Sequence, residues 1–493
     1  MSRTALFRCD ASQRIGAGHV MRCLALAETM VSVGYEPVFL SSAETPAYAP
    51  ALARSIMRLV PADAQSNGVA EARAAGCAPA SIAIVDHYGL GYDDERAVAS
   101  IADTVIACED LPTRAHAAHI VIDPTPGRRA TDYAGLVGPD ISLCLGPRHA
   151  LIRRPWRNAR KALIEQDAQA RGPFRILVSM GATDPTDATS RVLAAIASAR
   201  IDCGIDVVLG EGAPHLDRVR GLAVAPVRLH VDPAGLPSLV AAAGLAIGAP
   251  GSSSFERAML GVPSIVIPAA DNQRDMAVAL ARTGAAHVID GMLLDEPDRL
   301  GALVRDLRND DRRRSELSQA ALALCDGRGS SRLLALLAGQ SQSRDGARIA
   351  LRLTETDDCD WLLALQQRPE TRAFARSPNG PSRAEHVRWF TRALADPDRF
   401  LMIVERDERA CGFVRLDRRA DDGPSPAYEV SIAIEPEWHG SGMGRAALRL
   451  ARKMAPGAVI DATVLPANAA SKALFLGAGY VQVGADLYRS LPQ

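Results

Sequence analysis

Short apolar runs of strand character alternate with helical patterns twice along the first 338 residues of this 493-residue chain. Strands that are apolar on both faces and separated by helices predict a parallel sheet covered by helices on either side. The rhythm pauses at 147–173 and then restarts, which predicts two doubly wound lobes with a cleft at the carboxyl ends of their strands. The predicted strands begin at Ala5, Pro37, Ile82, Val105 and His119, and then at Arg175, Asp206, Val227, Leu245 and Ser264.

A different pattern follows residue 338. The stretch 339–346 is polar and contains two glycines, and we predict a flexible linker there. Beyond it, three longer runs of strand character at 400–405, 411–416 and 428–434 predict an antiparallel sheet in an α+β domain. We therefore predict four segments, which are a first lobe at 1–152, a second lobe at 153–338, a linker at 339–347 and the α+β domain at 348–493.

Charge and cysteine usage limit the class of protein. The formal net charge is -1, which gives no sign of a nucleic-acid partner or of binding to an anionic membrane. Nine cysteines are scattered without a C-x-x-C pair, as in a reducing compartment. The sequence shows no signal segment before the first strand and no apolar run long enough to cross a bilayer. We expect a cytoplasmic protein.

A glycine loop follows the first predicted strand and opens the first helix. Gly16 and Gly18 allow a tight turn and a close approach of the backbone to a phosphate, and the helix N-terminus favours negative charge. His19 follows directly. At such a turn it either serves as a general base near neutral pH or caps the helix, and the residues alone leave both interpretations open.

Polar residues end two later strands of the first lobe. Asp86 and Tyr88 follow one strand, where they either bind a ligand in the cleft or form an ordinary turn, and for His87 we favour the turn. Glu109 and Asp110 end the next strand in the same way and either one could simply cap a helix.

The second lobe has two glycine turns before helices, a geometry that suits phosphate. The first contains Gly181, and the second is followed by three serines and by Glu256 one turn into the helix. A carboxylate with two acceptor oxygens matches the vicinal diol of a ribose, although an acid in a first turn is also favoured by the helix dipole alone. The residues that we assign to binding in this lobe are Gly181, Gly251, Ser252, Ser253, Glu256, Asn272 and Gln273.

Five motifs occur in order over the two lobes, and together they resemble the GT-B-type UDP-sugar hydrolases of pseudaminic acid biosynthesis. They are R-I-G-A-G-H-V-M-R, V-D-H-Y-G, L-G-P-R-H-A-L-I-R, I-L-V-S-M-G-A-T-D-P, and G-S-S-S-F-E-R with the following G-V-P-S-I-V-I and A-D-N-Q. The sequence departs from the family pattern at Ala182, where a second glycine is expected, and at Pro250.

The resemblance implies a reaction and a set of roles. The expected substrate is UDP-2,4-diacetamido-2,4,6-trideoxy-β-L-altropyranose, from which an activated water displaces UDP with inversion and without a metal. His19 is then the expected base. The residues that the resemblance places around the sugar and the diphosphate are Arg14, Tyr88 and Asn272, with Glu256 on the uridine ribose. Gly18 and Asp86 are further candidates for substrate binding, from their places in the glycine loop and at the strand end.

The C-terminal domain contains a second glycine loop between a strand and a helix. This W-H-G-S-G-M-G-R-A loop resembles the diphosphate loop of the GNAT acetyltransferases, with His439 in place of the usual Arg or Gln, and a closing N-x-x-S-x-x-x-F-x-x-x-G-Y matches the family's last motif. Phe475 stands where that motif often has a tyrosine acid. The resemblance implies acetyl-CoA as co-substrate, bound by Val430, Ile432, His439, Gly440, Gly442, Gly444, Arg445, Asn468 and Ser471.

Glu429 begins the strand before this loop. It either deprotonates an acceptor amine or is a solvated acid at a strand edge. Pairing the two halves favours successive steps on one sugar nucleotide, 4-N-acetylation of the UDP-4-amino sugar and then its hydrolysis. The alternative is a UDP-sugar glycosyltransferase fused to a domain that senses acetyl-CoA without catalysis. The expected ligands are a UDP-sugar and acetyl-CoA, with neither a nucleic acid nor a membrane as partner.

Overall fold

The first lobe is built on a seven-stranded sheet in the order β3-β2-β1-β4-β5-β6-β7. The computed structural model describes residues 3–13, 15–166, 172–375, 379–420, 423 and 425–492. The strands are β1 Thr4–Cys9, β2 Glu36–Ser41, β3 Arg58–Pro61, β4 Ala80–Asp86, β5 Ala102–Cys108, β6 Ile120–Asp123 and β7 Ser142–Leu145. The helices are α1 Gly18–Ser32, α2 Thr45–Tyr48, α3 Pro50–Ala53, α4 Val69–Ala74, α5 Tyr92–Val98 and α6 Arg154–Glu165.

The second lobe repeats this winding in a six-stranded parallel sheet, ordered β10-β9-β8-β11-β12-β13. Its strands are β8 Arg175–Ser179, β9 Gly204–Leu209, β10 Val227–Val231, β11 Leu245–Gly248, β12 Ser264–Val266 and β13 His287–Val288. Its helices are α7 Ala188–Ser198, α8 Leu216–Leu222, α9 Leu236–Ala241, α10 Ser252–Met259, α11 Arg274–Thr283, α12 Pro297–Asn309 and α13 Asp311–Leu324.

Both faces of these sheets are covered, as the continuous apolar strands predict. In β8, Ile176 and Val178 pack into one apolar cluster, whereas Leu177 between them packs into another on the opposite face. In each sheet the strand order reverses at the centre, between β1 and β4 and between β8 and β11. Loops at such a reversal leave a crevice at the carboxyl ends of the strands. The prediction of two doubly wound, Rossmann-like lobes is confirmed.

The C-terminal domain has an eight-stranded mixed sheet in the order β14-β15-β16-β17-β18-β19-β21-β20. Its strands are β14 Gln340–Gln342, β15 Arg348–Leu353, β16 Arg399–Arg406, β17 Arg409–Arg418, β18 Ala427–Ile434, β19 Val459–Thr463, β20 Val481–Gln482 and β21 Leu487–Ser490. The helices are α14 Gly329–Leu337, α15 Cys359–Gln367, α16 Pro369–Arg372, α17 Arg383–Ala395, α18 Met443–Met454 and α19 Ala469–Gly477. The predicted α+β domain is confirmed.

The segment predicted as a flexible linker is instead part of this sheet. Gln340 pairs with Ala350 and Gln342 with Arg348 in an antiparallel ladder, so β14 is an edge strand. Its polar composition suggested a linker because an edge strand presents little side-chain surface to a core. The backbone pairing that holds it depends on β15, which follows in the chain.

Contacts between residues divide the protein into two compact units. One unit contains most of both lobes and ends at Gly329. The other unit contains Ser330–Gln493 together with Glu28–Glu36. Within that unit the hydroxyl of Tyr428 donates to the carbonyl of Ser32 at 2.8 Å, and the amide of Gly457 donates to the carbonyl of Val33 at 3.0 Å. The domain boundaries drawn from the sequence remain predictions.

Among the described helices, none is both long and apolar enough to span a membrane. In the same part of the chain, no three His, Cys, Asp or Glu side chains form a group that could hold a metal ion.

Candidate active sites

The N-terminal candidate site begins with an aspartate and a histidine from neighbouring elements. Cys9 at the end of β1 pairs with Asp86 at the end of β4, and α1 starts shortly after β1. His19, in the first turn of α1, therefore lies over Asp86, and its Nδ1 is 2.5 Å from Oδ1 of that buried carboxylate. Since a carboxylate accepts the hydrogen bond from Nδ1–H, we assign the tautomer whose Nε2 has a free lone pair.

Arg22 binds the other side of the same carboxylate. Its Nε donates to Oδ2 of Asp86 at 2.5 Å and its Nη2 donates to Oδ1 at 2.6 Å. Burial by itself raises the pKa of Asp86. The charge of Arg22 and the hydrogen bonds from Arg22 and His19 lower it by more than burial raises it, so the pKa lies below its usual range. Asp86 is therefore an anion, which can orient the His19 imidazole and stabilise a positive charge on it.

Tyr88 completes this group of side chains. Its ring stands edge-on to the His19 imidazole with centroids 4.5 Å apart, and 47% of the residue is exposed. The hydroxyl donates to Oδ2 of Asp110 at 3.2 Å, and Arg22 Nη1 donates to the same oxygen at 3.3 Å. Burial, reinforced by the Asp110 carboxylate, raises the pKa of Tyr88, so its hydroxyl keeps its proton.

Sequence reasoning singled out His19, Asp86 and Tyr88, and the structure brings them together. It missed Arg22, and for Asp110 it left a place in the cleft and a helix cap both open. The spacing of His19 and Arg22, three residues apart on one helix, was the available signal, because such residues share a helix face. Arg14 lies outside the described residues.

The second lobe contributes the N-terminus of α10. A Cβ added to Gly18 would lie 3.9 Å from Oγ of Ser252, so the first turns of α1 and α10 face each other across a narrow gap. Gly18 and Ser252 thus lie where the two glycine loops meet. Gly181, with φ of +111°, has no atom within 4 Å of an added Cβ, which leaves its turn open.

A buried arginine holds the serines at the start of α10 in place. The Arg257 guanidinium donates to Oγ of Ser253 at 3.1 Å, to Oγ of Ser254 at 3.0 Å and to the carbonyl of Ala249 at 3.1 Å. Burial lowers its pKa to about 10, so the guanidinium is still charged at neutral pH. Two of the three serine hydroxyls therefore brace the loop, and the exposed Ser252 hydroxyl is left for a ligand. No sequence pattern indicated this role for Arg257.

Glu256 is a partly exposed carboxyl one turn into α10. Burial raises its pKa to about 7. Among the described residues it accepts no hydrogen bond, so both oxygens are available to donors from outside the protein. Gln273 is engaged differently, since its Oε1 accepts from the amide of Ala269 at 2.8 Å. The side chain of Asn272 lies outside the described part of the structure.

The C-terminal domain has a split in its sheet beside the predicted pantetheine strand. β18 pairs with β17 as far as Ile434, but its parallel ladder with β19 ends at Glu429. The strands diverge beyond that point, so Val430 and Ile432 lie on the segment that has only β17 as its neighbour. Such a gap can receive an extended chain along the free backbone edge. Glu429 is at the apex of the split and accepts from the Thr463 hydroxyl at 3.2 Å.

The glycine loop after β18 turns directly into α18. Gly440 and Gly442 have φ of +78° and +87°, values that favour glycine. His439 Nε2 lies 3.0 Å from the carbonyl of Ile434, to which it donates, so the imidazole ties the loop to β18.

The remaining predicted residues have structural partners. A Cβ on Gly444 would lie 3.1 Å from Cδ1 of Leu474 on α19, so α18 and α19 pack closely at this glycine. Its contact with a diphosphate stays a prediction. The Arg445 guanidinium lies over Gly477 of α19. Asn468 caps α19 by accepting from the amide of Ser471 at 2.9 Å.

Phe475 is buried, 5.1 Å from Tyr480 between ring centroids. It has no proton to give, and its surroundings are apolar and aromatic.

Comparisons with known proteins relate the N-terminal and C-terminal parts of the chain to different proteins. The chain is 25% identical over 286 residues to the UDP-2,4-diacetamido-2,4,6-trideoxy-β-L-altropyranose hydrolase of Campylobacter jejuni, covering 57% of this chain and 96% of the hydrolase. It is 20% identical over 441 residues to an uncharacterized protein of Methanocaldococcus jannaschii, covering 86% and 85% of the two chains. The crystal structure of MurG from Acinetobacter baumannii aligns with a TM-score of 0.46 and 17% identity over 67% of this chain and 97% of that one.

Residues 348–481 match the family model for the acetyltransferase (GNAT) domain. The resemblance to both families is therefore confirmed, each over its own part of the chain. This protein joins a region similar to a UDP-sugar hydrolase to an acetyltransferase (GNAT) domain.

Proposed function

We propose that the protein catalyses two successive steps on one sugar nucleotide. The GNAT domain transfers an acetyl group from acetyl-CoA to UDP-4-amino-4,6-dideoxy-N-acetyl-β-L-altrosamine. The N-terminal region then hydrolyses the product, UDP-2,4-diacetamido-2,4,6-trideoxy-β-L-altropyranose, to UDP and the free sugar. The observation that carries the hydrolase half is the His19–Asp86 pair at the carboxyl ends of β1 and β4, in which Nε2 of His19 has no hydrogen-bond partner among the described residues.

The hydrolytic step follows from this pair. Nε2 of His19 takes a proton from water while the water oxygen attacks the anomeric carbon and the bond from that carbon to the UDP oxygen breaks. Asp86 stabilises the imidazolium that forms. Because the water attacks from the face opposite UDP, the configuration at the anomeric carbon is inverted.

UDP is held by the second lobe in this proposal. The exposed amides and the Ser252 hydroxyl at the start of α10 receive the diphosphate. Glu256, whose oxygens are unused by the described residues, accepts from the two ribose hydroxyls. The Arg257 brace keeps the loop in the shape that these contacts require.

The acetyl transfer uses the split in the C-terminal sheet. Pantetheine lies along Val430–Ile432, and the acceptor amine attacks the thioester carbonyl as Glu429 receives its proton, directly or through water. The tetrahedral intermediate collapses and the thiolate of CoA leaves. Because Phe475 cannot protonate that thiolate, the proton comes from solvent or from another residue.

The test is a reaction of the full chain with the UDP-4-amino sugar and acetyl-CoA in water enriched in oxygen-18, followed by mass spectrometry. The proposal expects one acetyl group gained per sugar, and oxygen-18 in the released sugar and not in UDP. Label in a nucleotide product would mean attack at phosphorus. Release of UDP only after an acceptor alcohol is added would favour a glycosyltransferase, and failure of the acetyl group to appear would favour a non-catalytic GNAT domain.

A further inference from the structure

The segment just before the GNAT match contacts the glycine loop. The amide of Arg344 donates to the carbonyl of Ser441 at 2.8 Å, and its Nη1 donates to the carbonyl of Gly440 at 3.3 Å. A Cβ on Gly442 would come within 2.9 Å of the Arg344 Cγ. Arg344 therefore lies along the whole turn, although it precedes the residues, 348–481, that match the family model.

Neighbouring residues hold this segment in place. Asp345 forms a two-point ion pair with Arg406, at 2.9 Å for each contact. The Arg406 guanidinium in turn lies 4.5 Å from the ring centroid of Trp438, which begins the glycine loop. The Ser343 hydroxyl donates to Oδ1 of Asp345 at 2.5 Å. These contacts hold in place the turn that carries Arg344.

The loop itself has no free cation at its first position. His439 stands where the family pattern has Arg or Gln, and its Nε2 is used on the carbonyl of Ile434. Arg445, the next basic residue in the loop, lies against Gly477 on α19. Arg344 is exposed, and among the described residues its guanidinium pairs with no carboxylate. Four of its five N–H donors are therefore available to a ligand.

We propose that Arg344 binds the diphosphate of CoA and replaces the basic side chain missing from position 439. This inference rests on the proposed acetyltransferase function of the same site. A guanidinium beside a turn of exposed amides offers two parallel hydrogen bonds to phosphate oxygens, which an ammonium cannot do. The contact is made equally before and during the reaction, so it contributes to binding and not to turnover.

The first measurement is equilibrium binding of CoA to the full chain by calorimetry, for the wild type and for Arg344→Ala. Loss of a charged hydrogen-bonded contact should weaken binding about tenfold to a hundredfold. The matched control is Arg348→Ala, because that exposed arginine contacts Glu408 instead of the loop. Its CoA affinity should stay at the wild-type value, and Arg344→Lys should recover part of the loss.

Two shortened ligands identify the group that is bound. Dephospho-CoA lacks the 3′-phosphate and keeps the diphosphate, so the penalty of Arg344→Ala should persist with it. Pantetheine lacks the diphosphate, and both proteins should bind it equally. Equal affinity of wild type and Arg344→Ala for CoA would overturn the proposal, as would a penalty that disappears with dephospho-CoA or persists with pantetheine. Failure of the wild type to transfer acetyl would count against the proposed function instead, since these titrations need no acceptor.

Discussion

Nδ1 of His19 and Oδ1 of Asp86 are 2.5 Å apart, although the two residues are 67 positions apart in the chain. The fully buried carboxylate also receives two hydrogen bonds from Arg22, so it is held from both sides. This relationship sets the tautomer of His19 and with it the atom that faces the cleft.

Asp86→Asn should lower the rate of UDP release by about a hundredfold to ten-thousandfold. The asparagine amide can donate to Nδ1, which moves the histidine proton to Nε2 and removes the base. The measurement is steady-state UDP release from the diacetamido sugar nucleotide. Asp110→Asn is the control, because Asp110 contacts Arg22 and Tyr88 but not His19. Equal losses in the two variants would contradict a specific role for Asp86.

His19→Asn should retain UDP binding and lose hydrolysis by about a hundredfold or more. The substituted side chain removes the base but leaves α10 and Glu256 untouched. Calorimetric titration with UDP, run beside the hydrolysis assay, separates the two effects. Near-normal hydrolysis in this variant would rule out His19 as the base.

Uridine should bind more tightly as the pH rises from 6 to 8, by up to about tenfold, and then level off. Burial raises the pKa of Glu256 to about 7. The ionised carboxylate accepts from both ribose hydroxyls, so at lower pH a proton must leave before the diol binds. Uridine is the suitable probe because it has no phosphate that titrates in this range. In Glu256→Gln the affinity should be lower and independent of pH, and a wild-type affinity that falls as pH rises would contradict the assignment.

Gly301→Ala should destabilise the second lobe by about 1–3 kcal/mol. The added Cβ on α12 would lie 2.3 Å from the backbone carbonyl oxygen of Ala195 on α7, so the two helices must separate. Gly221→Ala on α8 is the control, since an added Cβ there meets nothing within 4 Å and should stabilise by about 0.4–1 kcal/mol. Denaturant unfolding followed by circular dichroism measures both, and equal stabilities would show that the helices adjust without cost.

Local patterns were enough to predict much of the fold and part of the candidate sites. Apolar strands separated by helices predicted both lobes, because a strand covered on two faces reads as a continuous apolar run. The glycine before His19 placed that residue in a first turn, and Gly440 and Gly442 predicted a tight turn that their positive φ angles bear out. Each of these inferences depends on residues within one or two turns of chain.

The tertiary structure alone decided which side chains meet. Arg22 reaches Asp86, 64 residues away, because the central strands β1 and β4 are neighbours, and no local pattern specifies that order. The segment 339–347 reads as a linker by composition, yet β14 pairs with β15 and Arg344 contacts Gly440, 96 residues away. The sequence by itself thus determined most of the elements and their loops, but not the edge strand β14. The partners of charged side chains were set by packing, because a charge finds its counterpart only after the sheet has brought distant strands together.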